Sequence, residues 1–245
     1  MAKALQVEIW RGDANGAFVR YAVPREDNQT ILDVVTWVQR NTDPCLSYRF
    51  ACRVGMCGSC AMTVNGKPRW TCRTHVAKVL YGSDRLRIEP LRNLPIIKDL
   101  AADLTPFSEK WQNARGRFKG RKSRHDNLDR VAPASNERQQ ANAHVECINC
   151  AVCYAACDVV KWTPEYLGPA ALNRAWVAYN DTRDADRTGV LRAVAKAGGC
   201  LHCHTHQSCT EHCPVELNPA AGIAGLKRAT VRAYLSGTLK GGLKG

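Results

Sequence analysis

Two short stretches near the N-terminus alternate apolar and polar residues, which is the period of a half-buried β-strand. Residues 5–10 and 17–23 both show this alternation. Between them, residues 12–16 predict a hairpin turn in which Asn15 and Gly16 supply positive φ angles. The chain is therefore predicted to begin with a pair of antiparallel strands.

The pattern changes to helical spacing after residue 30. Thr30 has the position of a helix N-cap, and Asp33 closes a box-like pair with it. Further along, Asn65-Gly66 predicts a tight hairpin turn. Strands are predicted at residues 61–64 and 69–71 around that turn and at residues 85–89. The apolar face of the first helix consists of Ile31, Val34, Val35 and Val38.

Beyond residue 90 the strand pattern ends. Residues 90–106 are predicted to be a connector, residues 110–130 a basic surface arm, and the chain up to residue 143 loop-rich. From the second cysteine run onwards the pattern is helical. Proline after glycine or asparagine begins two of the predicted helices, and a Gly-Gly pair ends the third. The first of these helices is predicted to begin at Gly168-Pro169, the second to run over residues 188–196, and the third to begin at Asn218-Pro219.

Composition restricts the function classes. The 245 residues include no apolar run of about 18, the length needed to cross a bilayer, and no N-terminal secretory signal is recognisable. Thirteen cysteines at metal-ligand spacings then favour a reducing compartment over a disulfide scaffold. The net charge of +13 suits an acidic partner or an anionic membrane surface. No helix-turn-helix or zinc-finger pattern supports nucleic-acid binding, so we predict none.

Four cysteines in the first third of the chain have the spacing C-x4-C-x2-C…C of plant-type [2Fe–2S] ligands. Gly55 and Gly58 lie inside this loop, where positive φ and close approach of backbone N–H groups to sulfur are needed. A zinc site is the alternative for any four cysteines, but the spacing and the glycines favour iron–sulfur. The predicted ligands are Cys52, Cys57, Cys60 and Cys72.

A second run, residues 147–157, has the spacing C-x2-C-x2-C-x3-C. In this pattern three thiolates hold one cubane and the fourth serves a second cluster. A partner run lies between residues 203 and 214 and ends in Cys213-Pro214, so Cys213 is assigned to the first cubane. The two runs are the one internal repeat that we find. The predicted [4Fe–4S] ligands are Cys147, Cys150, Cys153 and Cys213.

The remaining cluster receives three thiolates, because His206 stands where a fourth cysteine would fall. Three thiolates suit a [3Fe–4S] cluster, and ligation of a fourth iron by His206 is the alternative. Cys45 and Cys200 are left over. We expect both to be small buried hydrophobes, with a role of Cys200 at the third cluster as the alternative. The predicted [3Fe–4S] ligands are Cys157, Cys203 and Cys209.

Together these motifs resemble the iron–sulfur subunits of succinate dehydrogenase and fumarate reductase over nearly the whole chain. Besides the cysteines, the resemblance rests on Pro95-Ile-Ile-Lys-Asp-Leu and Leu167-Gly-Pro-Ala-Ala-Leu. Two residues depart from the family pattern. Asp158 stands where proline is frequent, and His206 stands where an apolar residue is usual.

The resemblance implies an oxidoreductase subunit of the respiratory chain and tricarboxylic acid cycle. It would pass electrons between a FAD-containing flavoprotein subunit, which handles succinate or fumarate, and a quinone at membrane anchor subunits. It implies a peripheral location on the cytoplasmic face of the cell membrane, and a quinone site bordered by Trp162, His204 and Lys227. We expect the flavoprotein to dock at the first cysteine loop, beside Arg53. The alternative is an iron–sulfur subunit of a soluble, anchor-free reductase, such as a thiol-coupled fumarate reductase or a glycolate-oxidase-like complex.

The sequence therefore predicts an α+β protein with two domains. Residues 1–105 are predicted to form an N-terminal β-grasp [2Fe–2S] ferredoxin domain. Residues 106–245 are predicted to form an all-helical, ferredoxin-like domain with two cubane-type cluster sites, holding the [4Fe–4S] and [3Fe–4S] clusters.

Overall fold

The computed structural model describes residues 4–80 and 82–240. The chain forms two compact units. The first contains the described residues up to Leu104 and also Ile148–Ala156, and the second contains Thr105–Cys147 and the described residues from Cys157 onwards. The sequence-based division had placed Ile148–Ala156 with the helical part of the chain.

The first unit is built on a five-stranded mixed sheet with the strand order β2-β1-β5-β3-β4. The central pair, β1 and β5, is parallel and aligns Val7 with Leu86. The outer pairs are antiparallel, as short hairpin turns require. This is the predicted β-grasp arrangement. The strands are β1 (Ala4–Arg11), β2 (Ala17–Pro24), β3 (Ala61–Val64), β4 (Lys67–Trp70) and β5 (Arg85–Glu89).

Helix α1 (Ile31–Asn41) packs its apolar face into the core beside this sheet. The predicted capping box is present, because Thr30 accepts from the Asp33 N–H group and the Asp33 carboxylate accepts from the Thr30 N–H group. The hairpin at Asn65 and Gly66 also has the expected positive φ angles of +47° and +77°. The core side chains from α1 are Ile31, Val34, Val35 and Val38, each fully buried.

The first turn was predicted in the right place but with the wrong conformations. Gly12 has the positive φ angle, +101°, whereas Asn15 and Gly16 do not. Gly16 is required for a different reason. A Cβ atom there would lie 2.1 Å from the carbonyl oxygen of Arg11, so no larger residue fits without movement of the backbone.

A buried carboxylate supports the entry to the first cysteine loop. Asp99 accepts from the N–H groups of Gly12 at 2.7 Å and Ser47 at 2.8 Å, and it pairs with Arg11 Nε at 3.0 Å. Burial alone would raise the pKa of Asp99, but these hydrogen bonds and the positive charge hold the pKa below its usual value. The charged form of Asp99 therefore connects the β1–β2 turn to the segment that precedes Cys52.

Residues 90–143 contain more regular structure than predicted. The connector forms a small hairpin of β6 (Ile96–Lys98) and β7 (Ala101–Ala102). The loop-rich prediction up to residue 143 was wrong at α3 (Asn136–Val145), whose N-terminus is capped by Ser135. This helix has few apolar residues, so its sequence carries no strong amphipathic period.

The second unit is helical, as predicted. The helices predicted from Gly168-Pro169, over residues 188–196 and from Asn218-Pro219 are confirmed, and the first and last of these have proline in the first turn. None of the helices in the described part of the chain is both long and apolar enough to span a membrane. The helices of this unit are α2 (Thr105–Asn113), α3, α5 (Asp158–Trp162), α6 (Pro169–Asn180), α7 (Arg187–Val194), α8 (Ser208–Glu211) and α9 (Pro219–Leu235), whereas α4 (Val152–Ala155) lies in the first unit.

A tryptophan fixes the contact between α6 and α9. The indole of Trp176 lies across two glycines of α9. A Cβ atom at Gly225 would come within 2.5 Å of the indole ring, and one at Gly222 within 3.1 Å. Beside it, the buried His144 imidazole is hydrogen-bonded to Asn173 at 2.7 Å, and burial lowers its pKa. This pairing ties the polar helix α3 to α6.

Candidate iron–sulfur centres

The first cysteine loop is folded by three residues with positive φ. Arg53, Gly55 and Gly58 have φ angles of +59°, +79° and +71°. A Cβ atom at Gly55 would lie 2.8 Å from the ring of Trp70, so glycine is needed for space as well as for conformation. The loop therefore folds back tightly around the volume that its cysteines enclose.

Backbone N–H groups point at sulfur inside this loop, as a cluster site requires. The N–H groups of Met56 and Cys57 donate to Cys52 Sγ at 3.2 and 3.3 Å. Cys57 Sγ lies 3.0 Å from the hydroxyl of Ser59. Hydrogen bonding involving the Cys52 backbone and then Ser59 lowers the pKa of Cys57 to about 6. The exposed edge of the loop thus stabilises thiolate.

The other two predicted ligands are buried. Cys60 and Cys72 pack against Leu32, and Thr71 joins their segments because its hydroxyl donates to the Cys60 carbonyl oxygen at 2.7 Å. Burial, followed by the neighbouring Cys60, raises the pKa of Cys72 to about 11. Bound iron would have to drive deprotonation here. The loop therefore has one solvent-exposed and one buried edge.

Two ligands of the predicted [4Fe–4S] site, Cys150 and Cys153, lie in the first unit, while Cys147 and Cys213 lie in the second. Within the first unit, Cys150 packs directly on the first cysteine loop, since a Cβ atom at Gly58 would be 2.5 Å from Cys150 Cβ. Asn93 donates to the carbonyl oxygens of residues 154 and 155 and holds this segment in place. The grouping of all four cysteines stays a prediction.

Three cysteines in the second unit meet at one cavity, and they are the predicted [3Fe–4S] ligands. Burial raises the pKa of Cys157, and it raises the pKa of Cys209 to about 11. The N–H group of Thr205 donates to Cys203 Sγ at 3.4 Å. The three cysteines that line the cavity are Cys157, Cys203 and Cys209.

The three residues expected near quinone have different surroundings. His204 lines the cavity of the third site. Lys227 donates to the Cys203 carbonyl oxygen at 2.6 Å and so braces the ligand loop. Trp162, the last residue of α5, is 67% exposed and is not among the residues around the cavity. Only the first two residues are thus placed at the third site itself.

Sequence reasoning missed Tyr166. It lines the same cavity and is 1% exposed, and burial followed by the nearby Cys203 and Cys157 raises the pKa of its hydroxyl far above the usual value. Its position directly before the Leu167-Gly-Pro motif was the available signal. The expectation for the spare cysteines was half right. Cys200 is fully buried, but Cys45 is exposed.

The donor set fits polynuclear clusters. All thirteen cysteines are thiols outside any disulfide. Among residues 4–80 and 82–240, no three His, Cys, Asp or Glu side chains converge closely enough for a single ion. A [2Fe–2S] cluster takes two thiolates per iron and a cubane takes one, so neither needs such a triad. The fold and these cysteine sets define an iron–sulfur electron-transfer protein.

Comparison with known proteins gives the family. Residues 6–109 match the model of a 2Fe-2S iron-sulfur cluster binding domain, and residues 146–218 match that of a 4Fe-4S dicluster domain. The fumarate reductase iron-sulfur subunit of Haemophilus influenzae is 34% identical over 90% of this chain and 89% of its own length. That of Mycobacterium tuberculosis is 36% identical over 89% of both chains.

Two further similarities extend this match. A mitochondrial succinate dehydrogenase [ubiquinone] iron-sulfur subunit of Oryza sativa is 34% identical over 83% of this chain and 72% of its own. A chain in the Mycobacterium smegmatis Sdh1 complex superimposes with a TM-score of 0.84 at 25% identity, covering 96% of this chain and 98% of that one. The chain belongs to the family of fumarate reductase and succinate dehydrogenase iron–sulfur subunits, and it is an electron-transfer component of such an oxidoreductase.

Proposed function

We propose that the chain carries electrons between a FAD-containing flavoprotein subunit and a membrane quinone through three clusters. Bound clusters would supply one-electron carriers, which a flavin and a quinone, both two-electron carriers, need between them. The observation that carries the proposal is the meeting of Cys157, Cys203 and Cys209 at one cavity. Three thiolates there suit a [3Fe–4S] cluster, which follows the [2Fe–2S] and [4Fe–4S] sites in the family order.

The ligand assignments of the other two sites belong to the same proposal. Contact between Gly58 and Cys150 supports an electron path from the first cysteine loop to the second. The [2Fe–2S] ligands are Cys52, Cys57, Cys60 and Cys72, and the [4Fe–4S] ligands are Cys147, Cys150, Cys153 and Cys213.

The flavoprotein is proposed to dock at the first cysteine loop. This loop exposes apolar side chains, with Met56 69% and Val54 57% exposed. The Arg53 guanidinium lies over the Phe50 ring at 4.7 Å, so it is held at the surface. An exposed apolar surface suits contact with another protein, and here it carries a fixed cation beside Cys57, the thiol with the lowered pKa. Replacement of Arg53 by Glu should weaken assembly with the flavoprotein.

Quinone is proposed to bind next to the third site, at membrane anchor subunits on the cytoplasmic face of the cell membrane. His204 lies at the cavity, and Lys227 holds the Cys203 loop in place. Trp162 is exposed five residues after Cys157, so its indole N–H group is available to a quinone oxygen. These three residues are the proposed border of the quinone pocket.

A count of iron and cluster types tests the proposal. Anaerobically purified protein should contain the iron of one 2Fe, one 4Fe and one 3Fe cluster, with an electron paramagnetic resonance (EPR) signal for each. Cys213→Ser should remove the 4Fe signal although residue 213 follows the 3Fe ligands, and Cys52→Ser should affect only the 2Fe signal. Zinc in place of iron, or no 3Fe signal in an intact preparation, would refute the assignment.

Quinone binding is tested by Trp162→Leu in the assembled complex. Quinone-linked turnover should fall at least tenfold, while electron transfer to an artificial acceptor at the flavin and all three EPR signals persist. The matched control is Leu235→Ala, another exposed apolar side chain on the same unit, at the end of α9. Equal loss in both assays, or no loss in either, would remove Trp162 from the pocket.

A further inference from the structure

The two cysteine runs have left-handed residues at the same two positions. In the first run, Asn149 and Ala151 on either side of Cys150 have φ angles of +54° and +60°. In the second run, the residues on either side of His206 have φ angles of +60° and +61°. They are Thr205 and Gln207. The left-handed conformation is rare for a β-branched residue such as threonine, so its occurrence at the matching position is not explained by the conformational preference of the residue.

The match continues beyond these residues. The four-residue helix α4 begins directly after Ala151, and α8 begins directly after Gln207. The N-caps of the two helices have ψ angles of 6° and 2°. The N–H group of Ala155 donates to the Ala151 carbonyl at 2.9 Å, and that of Glu211 donates to the Gln207 carbonyl at 3.0 Å. The second run therefore keeps the backbone of a four-cysteine cubane loop.

In that frame His206 occupies the place of Cys150, which is a predicted cubane ligand. The side chain of His206 is exposed and lines the same cavity as the three cysteines of the third site. A neutral imidazole nitrogen is an established ligand for iron and can replace a thiolate in an iron–sulfur cluster. If Cys157, Cys203 and Cys209 hold a three-iron cluster, the second residue of this run, His206, is the one that would supply a ligand to a fourth iron.

We propose that His206 is the ligand of a fourth, exchangeable metal position at the third site, filled by Fe²⁺. This rests on the proposed function, since it requires a [3Fe–4S] cluster held by Cys157, Cys203 and Cys209. A [3Fe–4S] cluster in its reduced form needs no further electron to accept Fe²⁺. The oxidised form first takes one electron, which the electron-transfer role of the chain supplies. The His206 imidazole and the cluster sulfides would replace water ligands of the added Fe²⁺, the released waters would pass to solvent, and no bond within the protein would break.

The neighbouring His204 provides the matched control. Its ring lies 6.0 Å from that of His206 at an interplanar angle of 20°, and it is also exposed and lines the cavity. It is offset by two residues from the cubane ligand position, at the place that Ile148 holds in the first run. A nonspecific effect of removing an imidazole at this surface would thus appear in both variants.

The experiment uses anaerobically purified protein with its clusters and co-purifying partners. Each sample is reduced, titrated with ⁵⁷Fe²⁺ and mildly reoxidised, and the EPR signal of the three-iron cluster is then measured. In the wild type the signal should disappear, with a matching four-iron Mössbauer spectrum. His204→Ala should behave in the same way. His206→Ala should need roughly 100-fold more Fe²⁺, because even second-shell partners of a metal are worth about 10–100-fold in affinity.

A measurement on the wild type decides the matter if His206→Ala fails to assemble the third cluster. After Fe²⁺ loading and reduction, ¹⁵N-labelled histidine should produce a strongly coupled nitrogen in the pulsed EPR spectrum. Its absence would overturn the proposal, as would equal iron uptake by the wild type and His206→Ala. An unresponsive three-iron signal in the wild type rejects only the fourth metal position. A three-iron signal that is absent before titration, and stays absent after oxidation with a chelator to strip a fourth iron, rejects the proposed function itself.

Discussion

The cysteine loop of the first unit and that of the second reach left-handed backbone conformations with different residues. Besides Arg53, the first uses glycine, at Gly55 and Gly58, whereas the second uses Thr205 and Gln207 at φ angles near +60°. The surroundings differ in the same way. A Cβ atom at Gly58 would lie 2.5 Å from Cys150 Cβ, while the side chains of Thr205 and Gln207 are exposed.

The comparison teaches that positive φ does not by itself dictate glycine. A left-handed residue with a side chain costs about 1–2 kcal/mol, which a folded protein tolerates. A Cβ atom that collides with a packed neighbour is not tolerated in this way, because the neighbouring backbone must move to make room for it. Glycine in the first loop therefore marks contact with other segments, and its absence in the second loop marks an open surface.

The largest expected effect is a difference in cluster loss when serine replaces a buried cysteine ligand or an exposed one. Cys209→Ser should abolish the third cluster, because serine must lose a proton to bind iron and burial already raises the pKa of Cys209 to about 11. Cys57→Ser should retain part of the first cluster, since the donors that lower the pKa of Cys57 to about 6 also stabilise an alkoxide. EPR quantitation of each cluster measures the difference, and equal losses would contradict the explanation.

The next largest effect is a difference in stability between two glycine-to-alanine variants, which distinguishes the strain of a positive φ angle from a steric clash of the new Cβ atom. Gly58→Ala and Gly66→Ala both place alanine at positive φ, +71° and +77°, but only residue 58 lacks space. Gly66→Ala should reduce the free energy of unfolding by about 0 to 1.6 kcal/mol, because left-handed strain of about 1–2 kcal/mol is partly offset by the reduced freedom of the unfolded chain, and it should leave the first cluster intact. Gly58→Ala should cost more and also diminish the first-cluster signal. Similar unfolding midpoints for the two variants would mean that contact with Cys150 is not what requires glycine.

A smaller effect, of opposite sign, is expected in the second loop. Thr205→Gly relieves left-handed strain of about 1–2 kcal/mol but increases the freedom of the unfolded chain by about 0.4–1 kcal/mol. The net result should be stabilisation of about 0 to 1.6 kcal/mol in thermal unfolding. Thr182→Gly is the control, because Thr182 is also exposed but lacks positive φ, and it should be destabilised. Destabilisation at both positions would show that the loop carries no such strain.

The smallest effect is a shift in reactivity. In cluster-free protein, alkylation of Cys57 should rise with pH around a midpoint of about 6, since thiolate forms above the lowered pKa. Cys209 should stay protonated and unreactive at neutral pH. Removing the hydroxyl that lies 3.0 Å from Cys57 Sγ, by Ser59→Ala, should move the midpoint upward. Mass spectrometry of the labelled peptides reads both sites in one sample, and an unmoved midpoint would exclude Ser59 as a donor.

Local signals in the sequence predicted much of the fold. The capping box at Thr30, the Asn65-Gly66 turn and the Asn218-Pro219 helix start depend on neighbouring residues, so they are readable in a single chain. Helix α3 was missed because it is polar and is held by a distant pair, His144 with Asn173. Contacts between residues far apart in sequence leave no periodic signal.

For the candidate site, too, local spacing was predictable from the sequence, whereas contacts between distant segments were not. Cysteine spacing predicted three residues that the structure brings to one cavity, Cys157, Cys203 and Cys209. It did not predict that Cys150 packs on Gly58, because that contact joins segments about ninety residues apart. Nor did it identify Tyr166, for which the one local signal is its position directly before the Leu167-Gly-Pro motif.

The indole of Trp176 lying across α9 has a consequence for how relatives of this chain diverge. Glycine inside a helix costs about 1 kcal/mol relative to alanine, so helix stability should favour alanine at residues 222 and 225. A methyl group at residue 225 would enter the indole ring, which leaves Gly225 no single-step route to a larger residue. A lineage that acquires a side chain there must first, or at once, exchange Trp176 for something smaller. Positions 176 and 225 should therefore evolve as a pair, large with small or small with large.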